Sequence, residues 1–114
     1  MTAPNIASPT TMTGKNAQLA VTTSATAIIT AATGAAIRID NLVVACIATG
    51  DTITVDHFRS STARHICKTV SVPLNTAYLP FDNGPYWLEE GDTLRLTAAT
   101  NSRLEATASY VVFT

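Results

Sequence analysis

Turn-forming residues recur about every ten positions along this chain, and the segments between them alternate in hydrophobicity with a period of two. Thr52-Ile53-Thr54-Val55-Asp56 alternates cleanly, Leu94 and Leu96 share a parity, and so do Ile66, Val70 and Val72. An extended chain points successive side chains to opposite faces, so each segment can bury only one face, against a second layer. The pattern predicts an all-β chain, an antiparallel β-sandwich of jelly-roll-like type with about eight or nine strands. Alanine-rich stretches such as 26–34 resemble helix by content alone, but their threonines and turn breaks argue for strand.

Local chemistry sets the boundaries. Residues 1–16 carry Pro4 and Pro9 and have no apolar periodicity, which predicts an extended N-terminal arm ahead of a single domain over 17–114. Apolar parity flips between Ile39 and Leu42, which predicts a β-bulge near Asp40-Asn41. Thr49-Gly50-Asp51 and Ser60-Ser61 read as turns, and Pro73 ends a strand because it cannot donate to a ladder. Asp82-Asn83-Gly84-Pro85 is a further turn cluster, and Glu89-Glu90-Gly91-Asp92 launches the strand of Leu94 and Leu96.

Composition bears on stability and on partners. Threonine (20) and alanine (18) fill a third of the 114 residues, so the core is thin for a single domain of this size. Such a domain gains stability by docking on partners, as obligate oligomers do. The net charge is −1, and Lys15, Arg38, Arg59, Arg64, Lys68, Arg95 and Arg103 are scattered, which argues against nucleic-acid or membrane-surface binding. Met1-Thr2-Ala3-Pro4-Asn5 does not read as a secretory signal, and no segment approaches membrane-span length. The expectation is therefore a soluble chain made in the cytoplasm, with Cys46 and Cys67 as free buried thiols.

Candidate chemistry is sparse. Cys46, His57, His65 and Cys67 hold the right atoms for zinc but lack the close paired spacing of structural zinc motifs. Asp56-His57 suggests a hydrolase, yet strand neighbours face opposite ways and no nucleophile elbow is present. Asp82, Glu89, Glu90 and Asp92 match no calcium loop and read as solvated turn carboxylates. No catalytic residue, metal or cofactor is expected. Tyr78, Phe81, Tyr86 and Trp87 concentrate four of the seven aromatics within ten residues, as a plug at one end of the sandwich, a protein interface or a glycan contact. With Ile6 and Met12, apolar residues of the arm, they are the candidate interface residues.

Thr13-Gly14-Lys15, Ile39-Asp40-Asn41-Leu42-Val43-Val44, Ile53-Thr54-Val55-Asp56, Ser71-Val72-Pro73, the run from Leu88 to Leu94 and the run from Leu104 to Tyr110 follow one another in a recognisable order. In this the chain resembles small β-sandwich virion structural proteins of tailed bacteriophages, over most of residues 13–110. Ala45-Cys46 departs from the layout, where an Asn-bearing turn would be expected. The resemblance implies a non-enzymatic virion component, above all a capsid decoration (cement) protein. Its implied partners are the major capsid protein or other virion proteins and further copies of itself, a trimer favoured. Alternatives are a neck, tail or fibre accessory protein, or a carbohydrate-binding β-sandwich module.

Overall fold

The computed structural model describes residues 9–114, and within them the chain is built from nine strands without a helix. They are β1 (Met12–Val21), β2 (Thr26–Thr30), β3 (Ala36–Cys46), β4 (Asp51–Arg59), β5 (Thr62–Val72), β6 (Ala77–Tyr78), β7 (Tyr86–Leu88), β8 (Thr93–Ala98) and β9 (Leu104–Phe113). One sheet runs β1-β9-β3, with β6 and β7 pairing opposite ends of β3; the other runs β2-β8-β4-β5. Every pairing is antiparallel. When β6 and β7 are taken as one strand interrupted by the 79–85 loop, the sheets read 1-8-3-6 and 2-7-4-5. That is the strand order of a jelly roll.

The alternation read from the sequence becomes the core. Ile37, Ile39, Leu42 and Val44 of β3 face Ile53 and Val55 of β4 and Leu94 and Leu96 of β8, all buried. Each such side chain contributes roughly 1.5–3 kcal/mol through burial. Parity on β3 changes at Asp40, the extra residue in the pairing with β9, so the bulge lies where the parity flip predicted it. Ala106 and Ala108 occupy the inner face of β9 opposite Val44 and Leu42.

The N-terminal boundary differs from expectation. Residues 12–16 are part of β1, whose ten residues pair without interruption from Met12↔Phe113 to Val21↔Leu104. Their side chains bury little, but the backbone ladder to β9 needs no apolar side chain, so composition did not reveal it. Thr10 and Thr11 continue the association through Thr114, donating to its carbonyl at 2.6 and 3.1 Å. Ile6 and the rest of residues 1–8 lie outside the described residues.

Four features gather at one end of the sandwich: the β2–β3 loop, the β4–β5 hairpin, the 79–85 loop and the β7–β8 turn. Ser60 and Ser61 close the hairpin with φ of 51° and 62°, the left-handed pair of a tight two-residue turn. The β7–β8 turn reverses at Gly91, φ 84°. It is held to the β2–β3 loop by Gly91 N–H donating to the Ala31 carbonyl (2.8 Å) and Ala31 N–H to the Asp92 carbonyl (2.9 Å).

Candidate functional site

That end of the molecule carries a polar network organised by Asp92. Reversal at Gly91 turns the Asp92 carboxylate back under the β7–β8 turn, where it is 1% exposed. Arg59, at the end of β4, grips it through both oxygens, Nε to Oδ1 at 2.7 Å and Nη2 to Oδ2 at 2.6 Å. Glu89 N–H donates to Oδ2 at 2.9 Å. The same Arg59 nitrogen reaches the exposed Glu89 carboxylate at 2.6 Å. His57, two residues before Arg59 and on the same side of β4, brings Nε2 within 2.9 Å of Oδ2. That approach is close but poorly aligned for a hydrogen bond, so it acts as an electrostatic contact.

His57 also ties this centre to the aromatic residues. The carboxylate at Nε2 favours the proton there, leaving Nδ1 to accept from the Tyr86 hydroxyl at 2.6 Å. Tyr86 stacks on Phe81 with ring centroids 4.8 Å apart. The Arg59 guanidinium, followed by the Glu89 N–H and His57, holds the Asp92 carboxyl down at about 2 despite its burial. Arg59 is held protonated still more firmly by its hydrogen bond to Asp92. Burial pushes the Tyr86 phenol up, so its hydroxyl keeps its proton and remains available to donate.

A second cluster lies on the outer face of the β2-β8-β4-β5 sheet. Arg95, Asp56 and His65 are direct cross-strand neighbours on β8, β4 and β5. Asp56 is 5% exposed, hydrogen-bonded to His65 Nδ1 and 3.6 Å from Arg95. Arg95 lies over the Phe58 ring, 4.2 Å from its centroid. Opposite charges directly across a ladder stabilise it, and here they enclose a carboxylate on an otherwise polar face. The hairpin between the clusters borders an open cleft of about 550 Å³, lined by His57, Arg59, Ser60, Arg64, His65 and Tyr86 among others.

The residues nominated from sequence are dispersed by this geometry. Phe81 is buried, and Tyr86 faces inward on His57, so both belong to the plug. Tyr78 is half-buried on β6 beside Cys67. Trp87 faces outward, 38% exposed, with its ring 5.6 Å from that of Phe113. Phe113 pairs with Met12, which is 61% exposed, so Met12 and Trp87 flank it on the outer face of their sheet. Cys46, His57, His65 and Cys67 do not converge; among the described residues no group of three or more His, Cys, Asp or Glu could hold a metal. Both cysteines are free, Cys46 buried and Cys67 half-buried, with burial pushing the Cys67 thiol up.

The acidic turn requires a correction. Asp92 was expected to be a solvated turn carboxylate and is instead the buried hub of the network. Glu90 is also engaged, accepting from Gly34 N–H at 2.9 Å, whereas Glu89 is exposed. The sequence carried one usable signal, the same-side spacing of His57 and Arg59 on β4. Nothing in it paired them with a carboxylate 33 residues away.

No family model and no curated protein matches the chain. Among solved structures it is similar to a chain from Bacillus endospore appendages, described as a novel family of disulfide-linked pili. The TM-score is 0.59 at 12% identity, over 91% of this chain and 87% of that one. At that identity the likeness is one of fold: an all-β sandwich of two antiparallel sheets.

Proposed function

We propose that this protein is a non-catalytic structural subunit of a repetitive assembly, most specifically a capsid decoration protein of a tailed bacteriophage that works as a homo-oligomer, a trimer favoured. The observation that carries the assembly reading is the edge strand β1. It is ten residues long, pairs β9 without a bulge and contains no proline. Lys15 is its only charged side chain, and among the described residues no strand covers its outer side. Proteins that stay monomeric usually blunt such an edge with charge, proline or a bulge. By contrast β5, an edge of the other sheet, is blunted: it is broken by two register shifts and bears Arg64, His65 and Lys68. An open edge next to exposed Met12 suits pairing with another chain.

The virion assignment rests on the sequence resemblance over residues 13–110. In that role many copies would bridge neighbouring capsid subunits, and multivalency would make weak single contacts effective. The network around Asp92 serves this reading as a rigid end-plug: both oxygens of the carboxylate and the His57 Nδ1 are hydrogen-bonded within the protein. The fold likeness to a pilus subunit favours a second reading, a subunit of an extended appendage, which would use the same open edge.

Native mass spectrometry of the purified chain tests the assembly reading. A closed trimer is expected, an open-ended series of oligomers favours the appendage, and a stable monomer at micromolar concentration rejects both. Asn16→Lys with Gln18→Lys, on the exposed outer side of β1, is expected to leave the fold intact and dissolve the oligomer. Imaging of an intact particle then decides location: density on the capsid shell supports decoration, and density at the tail alone removes it.

A further inference from the structure

We propose that the cleft beside the β4–β5 hairpin is a binding site for a small oxyanion-bearing ligand of the size and polarity of an acidic monosaccharide. Its volume of about 550 Å³ lies within the roughly 300–1,000 Å³ typical of small-ligand sites. Its charged lining consists of two arginines. Arg59, Arg64, His57 and His65 all border it, and no carboxylate does. The nearby acids are already engaged: Asp92, buried, and Glu89, exposed, by Arg59, and Asp56, buried, by His65 and Arg95. That leaves Arg64 as the cation of the lining with no carboxylate partner among the described residues.

Arg64 is what distinguishes a site from a structural wall. It lies opposite His57 on the β4–β5 ladder and is exposed; among the described residues it makes no salt bridge and no side-chain hydrogen bond. Its guanidinium is therefore free to take an anion that enters the cleft, whereas the Arg59 guanidinium is already held by Asp92 and Glu89. Guanidinium groups bind carboxylate, sulfate and phosphate through paired N–H donors. The hydroxyls of Ser60 and Thr62 supply the neutral donors and acceptors that a polyhydroxylated ligand needs, and Ile66 and Tyr86 give it an apolar wall. The site is independent of the assembly reading, since it uses neither β1 nor any particle partner.

Titration of the isotope-labelled protein with glucuronate, inorganic phosphate and glucose, followed by amide chemical shifts, tests the site. Saturable shifts confined to residues 57–66 and Tyr86 are expected with glucuronate and none with glucose. Phosphate producing the same shifts places the recognition in the oxyanion; a response to glucuronate alone shows that the sugar frame is read as well. Arg64→Gln, which breaks no side-chain hydrogen bond or salt bridge among the described residues, is expected to keep the melting temperature and weaken glucuronate roughly tenfold or more. Absence of localised shifts with both anions, equal shifts with glucose, or unchanged affinity in Arg64→Gln would overturn the proposal.

Discussion

Replacing Asp92 by asparagine isolates the charge at the centre of the end-plug while keeping its volume. The carboxyl is lowered from an ordinary 3.8 to about 2, with the Arg59 hydrogen bonds as the largest cause. That drop corresponds to roughly 2 kcal/mol at neutral pH. The side chain is almost fully buried, so solvent screening removes little of this. Arg59 is half exposed and can rehydrate when its partner is lost, which keeps the cost below the roughly 3–5 kcal/mol of a fully buried broken pair. The expected destabilisation at neutral pH is therefore about 2–3 kcal/mol, or a urea midpoint lowered by about 1 M. Trp87, the only tryptophan, reports unfolding by its fluorescence. The sign of the pH dependence follows from the direction of the shift. A carboxyl with a depressed folded pKa stabilises above its unfolded pKa, and that stabilisation is lost as pH falls from near 3.8 towards 2. The gap between wild type and Asp92→Asn should therefore narrow to below about 1 kcal/mol by about pH 2. A gap under about 0.5 kcal/mol at neutral pH, or one that does not change with pH, would refute the assignment of Asp92 as an ionised hub.

Four further outcomes follow from the same geometry. Leu96→Ala, at a fully buried position, should cost about 2–5 kcal/mol in urea unfolding, whereas Leu79→Ala, at an exposed one, should stay within about 0.5 kcal/mol. Gly91→Ala should destabilise by about 1–2 kcal/mol through its positive φ alone, because nothing lies within 4 Å of the added Cβ. Gly14→Ala, equally open but with no positive φ, should be neutral or stabilising by up to about 1 kcal/mol in thermal melts. In native protein near neutral pH, Cys46 should resist a thiol reagent entirely and Cys67 should react slowly, since burial shields the first and raises the pKa of the second; fast labelling of both would contradict their placement.

Local pattern was enough for much of this architecture. Alternation at Ile53 and Val55, the parity flip at Asp40, the Ser60-Ser61 turn and the stop at Pro73 each depend on a few adjacent residues, and all four occur where they were read. The 12–16 segment escaped because its order comes from the backbone of β9, about a hundred residues away in sequence. Tyr78, Phe81, Tyr86 and Trp87 looked like one cluster, yet strand parity sent Tyr86 inward and Trp87 outward, and the 79–85 loop buried Phe81 beneath the tyrosine.

Asp92 marks the division most clearly. Its sequence neighbours, Glu89, Glu90 and Gly91, are those of a hydrated turn, and hydration is the ordinary fate of a carboxylate there. Sequence alone therefore determined a jelly-roll-like sandwich, several of its turns and the bulge at Asp40, because backbone periodicity is a local property. Tertiary structure decided which charges became internal and which, like Arg64, were left facing open space. Burying a carboxylate requires a cation to be delivered to it, and only the folding of β4 against the β7–β8 turn brings Arg59 to Asp92.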